Sequence, residues 1–288
     1  MVIDSHLHVW ERSEGHYSWL VPHFGAIYDD FPPSLAGHEL SRAGVDGAIL
    51  VQADDSLHDA NYLFQAARQH NWVWGVVPWL PLDSPGRAEN LLEEYQREPS
   101  FCGVRQLVHD DPRDDFYRMA EVHEVLAALG ELGIPVDVPD AWPRDLPQVV
   151  DIAATYPATT FVLDHLGKPP IEPGDFARWK SLFIALADCP NTVVKFSGLH
   201  HPYRPFTHLS IESIWDLTLE VWGPKRVMVG SDWPITVGYG GYQPTWEVMA
   251  GLISGCEPHV RYELEAGTAT RTYGRSEVLI GYMEKEGN

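Results

Sequence analysis

The chain has 288 residues, of which 44% are hydrophobic and 11% aromatic, enough to bury one α/β barrel or two ordinary domains. A formal net charge of −21 argues against nucleic acid and anionic membranes as partners, since both demand a concentrated positive surface. Three distant cysteines, Cys102, Cys189 and Cys256, fit reduced thiols better than a disulfide framework or a cysteine zinc site, and no leader-like or membrane-spanning apolar run occurs, so the expected location is the cytoplasm.

Short runs rich in Val and Ile recur along the chain. In order they are VIDSHLHV (2–9), VDGAILVQ (45–52), WVWGVVPW (72–79), CGVRQLV (102–108), IPVDV (134–138), TTFVLDHLG (159–167), TVVKFSGL (192–199) and RVMVGSDWP (226–234). Stretches with a helical period separate them: SLAGHELSRAG, NYLFQAARQH, AENLLEEYQRE, MAEVHEVLAALGELG, LPQVVDIAATY, FARWKSLFIALAD and ESIWDLTLEVWG. TWEVMAGLISG and YELEAGTATRTYG follow the last strand and can close the ring. Strand and helix alternating in this way predict a parallel (β/α)8 barrel of the TIM type, one domain over 1–288, with its chemistry at the C-terminal strand ends. An open doubly wound sheet has no G-x-G-x-x-G or P-loop motif to support it. The proline-rich pieces at 31–34 and 168–175 read as loops framing the pocket.

Side chains two apart on a strand share a face, so His6 and His8 point together into the barrel mouth. Asp164 and His165 end the sixth strand and Asp232 ends the eighth, beside the first. Imidazoles and a carboxylate buried together need a divalent metal or a catalytic hydrogen-bond network to offset desolvation. His6, His8, His165 and Asp232 suit one zinc or manganese ion, with Asp232 as base for an activated water. Without metal, Asp232 still orients water while the histidines stabilise an oxyanion. No organic cofactor is implied. Most of the other histidines, His16, His23, His38, His58, His70, His123, His208 and His259, read as surface or core-edge groups.

The blocks DSHLHVW, GVRQLVHDDP, VLDHLGKP, KFSGL and VGSDWP, in this order, resemble the amidohydrolase superfamily. The likeness is to its branch of L-fuconolactonases, L-rhamnonolactonases and 2-pyrone-4,6-dicarboxylate lactonase, metal-independent or single-metal. It implies that Asp232 activates water and that Arg105 faces the substrate carbonyl or ring oxygens. The fifth strand, GIPVDVPD, lacks the lysine and histidine of binuclear sites, and His109 stands where sugar lactonases often carry glutamine.

The implied reaction is hydrolysis of a 1,4- or 1,5-lactone of an aldonic acid, with His165 protonating the leaving ring oxygen. A nonoxidative decarboxylase of the same superfamily and a non-catalytic barrel that binds a sugar acid are the alternatives. Expected substrate contacts are Arg105, His109, Trp10, Trp233 and Lys195, the last equally suited to an ion pair or to snorkelling at the rim. Trp142 is a further rim candidate, Asp164 a support for His165, and Asp137, His200 and His201 weaker pocket candidates. Aromatic residues on the helices leave room for a homo-oligomer.

Overall fold

The computed structural model describes residues 1–13, 17–274, 276–277 and 279–280; His16 lies outside them. Eight parallel strands occur where the apolar runs place them: β1 Ile3–Leu7, β2 Gly47–Val51, β3 Val73–Val77, β4 Val104–Arg105, β5 Val136–Val138, β6 Phe161–Leu163, β7 Thr192–Phe196 and β8 Val227–Val229. The ladders run β1-β2-β3 and β4 through β8. Backbone hydrogen bonds join these two groups into a ring. Val76 N–H donates to Ser100 O (2.7 Å) and Arg105 N–H to Pro78 O (3.0 Å) on one side; Asp232 N–H donates to His6 O (2.9 Å) and His8 N–H to Trp233 O (2.8 Å) on the other.

Eight helices cover the ring: α1 Pro33–Ala43, α2 Leu57–Gln69, α3 Pro85–Tyr95, α4 Ala120–Leu132, α5 Leu146–Thr155, α6 Pro173–Ala187, α7 His208–Trp222 and α8 Tyr242–Ser254. Pro33, Pro85 and Pro173 each open a helix, at the position where a missing N–H costs nothing. The 31–34 piece is therefore not all loop: Phe31 pairs with Trp10 across an antiparallel bridge, and α1 begins at Pro33. The closing stretch is helical from Pro258 to Thr272, as α9 Pro258–Tyr262, a π-helical turn Glu263–Gly267 and α10 Thr268–Thr272 in direct succession.

The strands are buried along their length, as a sheet covered on both faces requires. One apolar layer, including Leu50, Val104, Val136, Leu163, Val194 and Val229, packs against the helices. A second, with Ile49, Val51, Val77, Cys102, Val162 and Met228, fills the lower ring together with Ala269 and Tyr273. Thr268 Oγ1 donates to Pro224 O (3.0 Å) just ahead of β8, which fixes α10 at the N-terminal ends of the strands. The barrel floor is thus plugged and the opposite mouth left open. Cys102, Cys189 and Cys256 are unpaired thiols, and among the described residues no helix is long and apolar enough to cross a membrane.

Asp4 seals the seam between the first and last strands. Fully buried, its carboxylate accepts from Ser231 N–H (2.9 Å), His6 N–H (3.1 Å) and the Tyr242 hydroxyl (3.1 Å). Asp4→Ala strands three buried donors and is expected to lower unfolding free energy by about 3 kcal/mol, against about 1 kcal/mol for Tyr242→Phe. Urea unfolding of the two variants checks this ranking; equal and small losses would show that the seam does not depend on Asp4.

Candidate active site

The period of two on β1 brings His6 Nε2 and His8 Nε2 to 3.1 Å from each other. His8 Nδ1 lies 2.8 Å from Val51 O. A carbonyl only accepts, so the proton of His8 sits on Nδ1 and Nε2 offers its lone pair to the mouth. Behind His6, Nδ1 faces Asp164 Oδ1 at 3.2 Å and Lys195 Nζ at 3.1 Å. Burial holds the His6 ring neutral; Asp164 opposes this, while Lys195 and His165 reinforce it.

One oxygen gathers the set. Asp232 Oδ1 lies 3.5 Å from His8 Nε2, 3.7 Å from His165 Nε2 and 3.9 Å from His6 Nε2. Burial favours the neutral acid, but its neighbours, His165 first and then His8, Lys168 and His6, together outweigh it and keep Asp232 well below the usual carboxylate range. His165 is held by Ser197 Oγ at Nδ1 (2.9 Å), and burial lowers it to about 4, so it is neutral at pH 7.

The backbone is bent to make this meeting. Among the described residues, the non-glycine positions with positive φ are His165 (55°), Leu166 (56°), Lys168 (58°) and Asp232 (57°). All four belong to the two segments that leave β6 and β8. Left-handed backbone costs roughly 1 kcal/mol or more per residue outside glycine, and such strain gathers at functional sites. Gly198, at φ 57°, passes behind them: a Cβ there would fall 2.4 Å from His165 Nδ1 and 2.7 Å from Asp232 Oδ2.

A cavity of ≈ 630 Å³ opens above these groups, within the range of small-ligand sites. His8, Arg105, His109, Asp140, His165, Lys168 and Asp232 line its polar side; Trp10, Trp19, Phe24, Ile27, Ile235 and Tyr239 line the apolar side. Trp10 offers only an edge, because its indole N–H donates to Asp29 O (2.9 Å) and the ring is buried. Two of the expected substrate contacts are corrected. Lys195 is wholly buried below the cavity, where its ammonium pairs with Asp137 and Asp164. Trp233 is turned into the wall against Phe31 and does not line the cavity.

Arg105 lines the cavity but points mainly inward, donating to Asp164 Oδ2 (2.9 Å) and to Gln52 Oε1 (3.2 and 3.3 Å). Trp142, His200 and His201 do not line it: Trp142 packs under the Arg178 guanidinium, His201 bridges to Arg204, and His200 Nε2 meets Thr245 Oγ1 at 3.1 Å. Asp137 lies in the floor, accepting from Tyr273 (2.8 Å) as well as Lys195. Lys168, Asp140 and the apolar wall from Trp19, Phe24 and Ile27 escape sequence reasoning. Lys168 had a signal in its place three residues after His165; the wall, from an irregular segment after β1, had none.

The donor set fits a divalent ion. In a tetrahedral zinc site, bonds of about 2.1 Å put ligand atoms roughly 3.4 Å apart. His6, His8 and Asp232 offer edges of 3.1, 3.5 and 3.9 Å, and His6 has the carboxylate of Asp164 behind it, as metal-bound imidazoles usually do. His165 belongs to a second, overlapping trio with His6 and Asp164.

With this geometry established, the comparisons decide the family. Residues 3–275 match the amidohydrolase family model. The chain belongs to the amidohydrolase family. It is 30% identical over 278 residues to an L-fucono-1,5-lactonase of Burkholderia ambifaria, covering 94% of both chains. It is 31% identical over 292 residues to an L-fucono-1,5-lactonase of Burkholderia multivorans, covering 96% of both. A solved amidohydrolase from Burkholderia multivorans with bound zinc superposes with a TM-score of 0.84 at 28% identity, covering 95% of this chain and 99% of that one. The barrel is thereby shared with solved members of the family.

Two measurements test the electrostatics. Metal analysis after dialysis against Zn²⁺ is expected to find close to one equivalent in the wild type and little in His8→Ala; equal retention would move the ion elsewhere. His200, lowered to about 4 by burial, stays neutral in the native state where the unfolded chain, near 6.5, takes up a proton. Its contribution to stability is present above pH 6.5 and is lost as pH falls towards 4. The urea midpoint should therefore drop more from pH 7 to pH 5 in the wild type than in His200→Gln, and parallel drops would refute the assignment.

Proposed function

We propose that this chain, as a single barrel domain over 1–288, is a lactonase that hydrolyses the cyclic ester of a sugar acid, of the fucono or rhamnono series. The observation that carries the reading is Asp232: an ionised, nearly buried carboxylate ringed by three imidazoles at the mouth of a cavity with one polar and one apolar wall. The names of the two bacterial relatives support the substrate class. A sugar lactone has the matching two-sidedness, with hydroxyls for His109 and Asp140 and C–H faces for the aromatic wall.

Asp232 holds a water beside the ester carbonyl and takes its proton as the oxygen attacks. A carboxylate so strongly stabilised is a weak base, so the water needs help. A zinc or manganese ion held by His6, His8 and Asp232 would make that water acidic near neutral pH. His8, with its proton fixed on Nδ1, and His6, backed by Asp164, keep their Nε2 atoms turned to the same point. Arg105 contributes a fixed positive charge beneath the carbonyl. His165 is neutral at working pH and 3.7 Å from Asp232, placed to pass the proton from that carboxyl to the departing ring oxygen.

Asp232→Asn keeps the shape and removes the base. Turnover of a panel of aldonolactones, followed with a pH indicator, should fall about 1,000-fold while the melting temperature holds. Turnover within a few-fold of wild type would remove Asp232 from the chemistry. Carbon dioxide release from an aromatic acid, without lactone opening, would replace the reading with a decarboxylase.

A further inference from the structure

We propose that Lys168 is a catalytic residue of this site: its ammonium holds the ester carbonyl oxygen as it becomes an oxyanion, and then the carboxylate of the product. The inference rests on the lactonase reading and names a group that reading leaves unused.

Three observations carry it. The first is cost. From His165 to Lys168 the backbone runs left-handed through four residues, with φ of 55°, 56°, 69° and 58°, three of them not glycine. Orienting His165 needs only the first; the turn continues until Lys168 comes back over the mouth. The second is spare donor capacity. Lys168 Nζ donates to Gly198 O (2.9 Å), while Asp140 Oδ1 at 3.8 Å and Asp232 Oδ2 at 4.0 Å stay beyond direct hydrogen bonding. An ammonium has more than one hydrogen to give, so Lys168 still has donors for a ligand. The other cation in the wall, Arg105, is bound to Gln52 and Asp164 with its side chain 5% exposed, against 33% for Lys168. The third is placement: Lys168 Nζ lines the cavity 4.0 Å from Asp232 Oδ2, beside the carboxylate that holds the water.

The chemistry balances around this pair. The water oxygen bonds to the carbonyl carbon as Asp232 takes one proton, and the carbonyl π pair moves onto oxygen beside Lys168. The pair returns, the bond from carbon to ring oxygen breaks, and the ring oxygen receives the proton removed from water. The new carboxylic acid loses its proton to solvent. Lys168 therefore meets a neutral carbonyl in the substrate, a partial charge in the transition state and a full charge in the product. It should act on kcat and product affinity far more than on KM.

The test is Lys168→Met, with Lys168→Gln in its place should the first not fold, and Lys168→Arg as the charge-keeping control. Lactone turnover gives kcat and KM; titration of cavity tryptophan fluorescence with the matching aldonate gives product affinity without turnover. The expected result is kcat down about 100-fold, KM within about 3-fold, and aldonate binding weakened about 10-fold in Met and restored in Arg. Values of kcat and aldonate affinity within 3-fold of wild type would overturn the role and leave the lactonase reading standing. If the wild type opens no lactone yet loses aldonate binding on Lys168→Met, the reading falls and the anion-holding role survives. Equal aldonate binding in both proteins, or none in the wild type, overturns the role.

Discussion

The mouth of the barrel depends on the carboxylate of Asp164. It is wholly buried at the end of β6, yet three other strands converge on it: Arg105 of β4 at 2.9 Å, Lys195 of β7 at 3.1 Å and His6 of β1 at 3.2 Å. Burial alone would protonate it; Lys195, His6 and Arg105 together hold it ionised, well below the ordinary range. Asp137, bound by Lys195 and Tyr273, supplies the second negative charge, so two cations and two anions are enclosed with their hydrogen bonds largely met. Removing one partner of such a buried pair costs about 3–5 kcal/mol, because the charge left behind cannot be rehydrated. That penalty clamps β1, β4, β5, β6 and β7 at one level, and the position of His6 follows from it.

The site above is set by backbone rather than by ion pairs. A strand end that ran straight on would carry His165 and Asp232 apart. The left-handed turns after β6 and β8 fold both side chains back over the axis, and Gly198 makes room by having no Cβ. Strain of this sort persists only where the surroundings over-determine it. Here they do: Asp232 N–H is tied to His6 O, His165 Nδ1 to Ser197, and Lys168 Nζ to Gly198 O. The first tie crosses to β1 and the other two to the segment that follows β7, so relaxing one turn would break contacts on its neighbours.

This division explains what could be read in advance. The eight strands and the pairing of His6 with His8 follow from period and composition, which are local, and the adjacency of Asp164, His165 and Asp232 to them follows from barrel closure. Lys195 misled because alternation gives the inward face but not the depth: β7 runs to Phe196, and Ser197 and Gly198 beyond it form the rim, leaving Lys195 in the floor. Lys168 was hidden because an ordinary helical or extended turn after His165 would send it elsewhere; only the left-handed backbone returns it. The apolar wall from Trp19, Phe24 and Ile27 lies in a segment whose sequence shows no helical or strand period, a loop and a short 3-10 turn kinked at Gly25, held by tertiary contacts such as the Trp19 indole N–H to Ala53 O (2.7 Å).

The acidity of the chain then has a role in the proposed chemistry. A lactone is neutral and enters the cavity without feeling a net charge of −21, whereas the aldonate it becomes is repelled by that field once free of the mouth. Inside the mouth the balance reverses, because Lys168 and Arg105 lie within a few ångströms and burial protects them from screening, while the distant carboxylates act across salt water. Stabilising the transition-state charge and clearing the product are opposing demands on one cation. A single partly buried ammonium, already shared with Gly198 O and flanked by Asp140, meets both better than a fully desolvated guanidinium would: strong enough to catch a developing charge, and tempered enough to let the finished carboxylate leave.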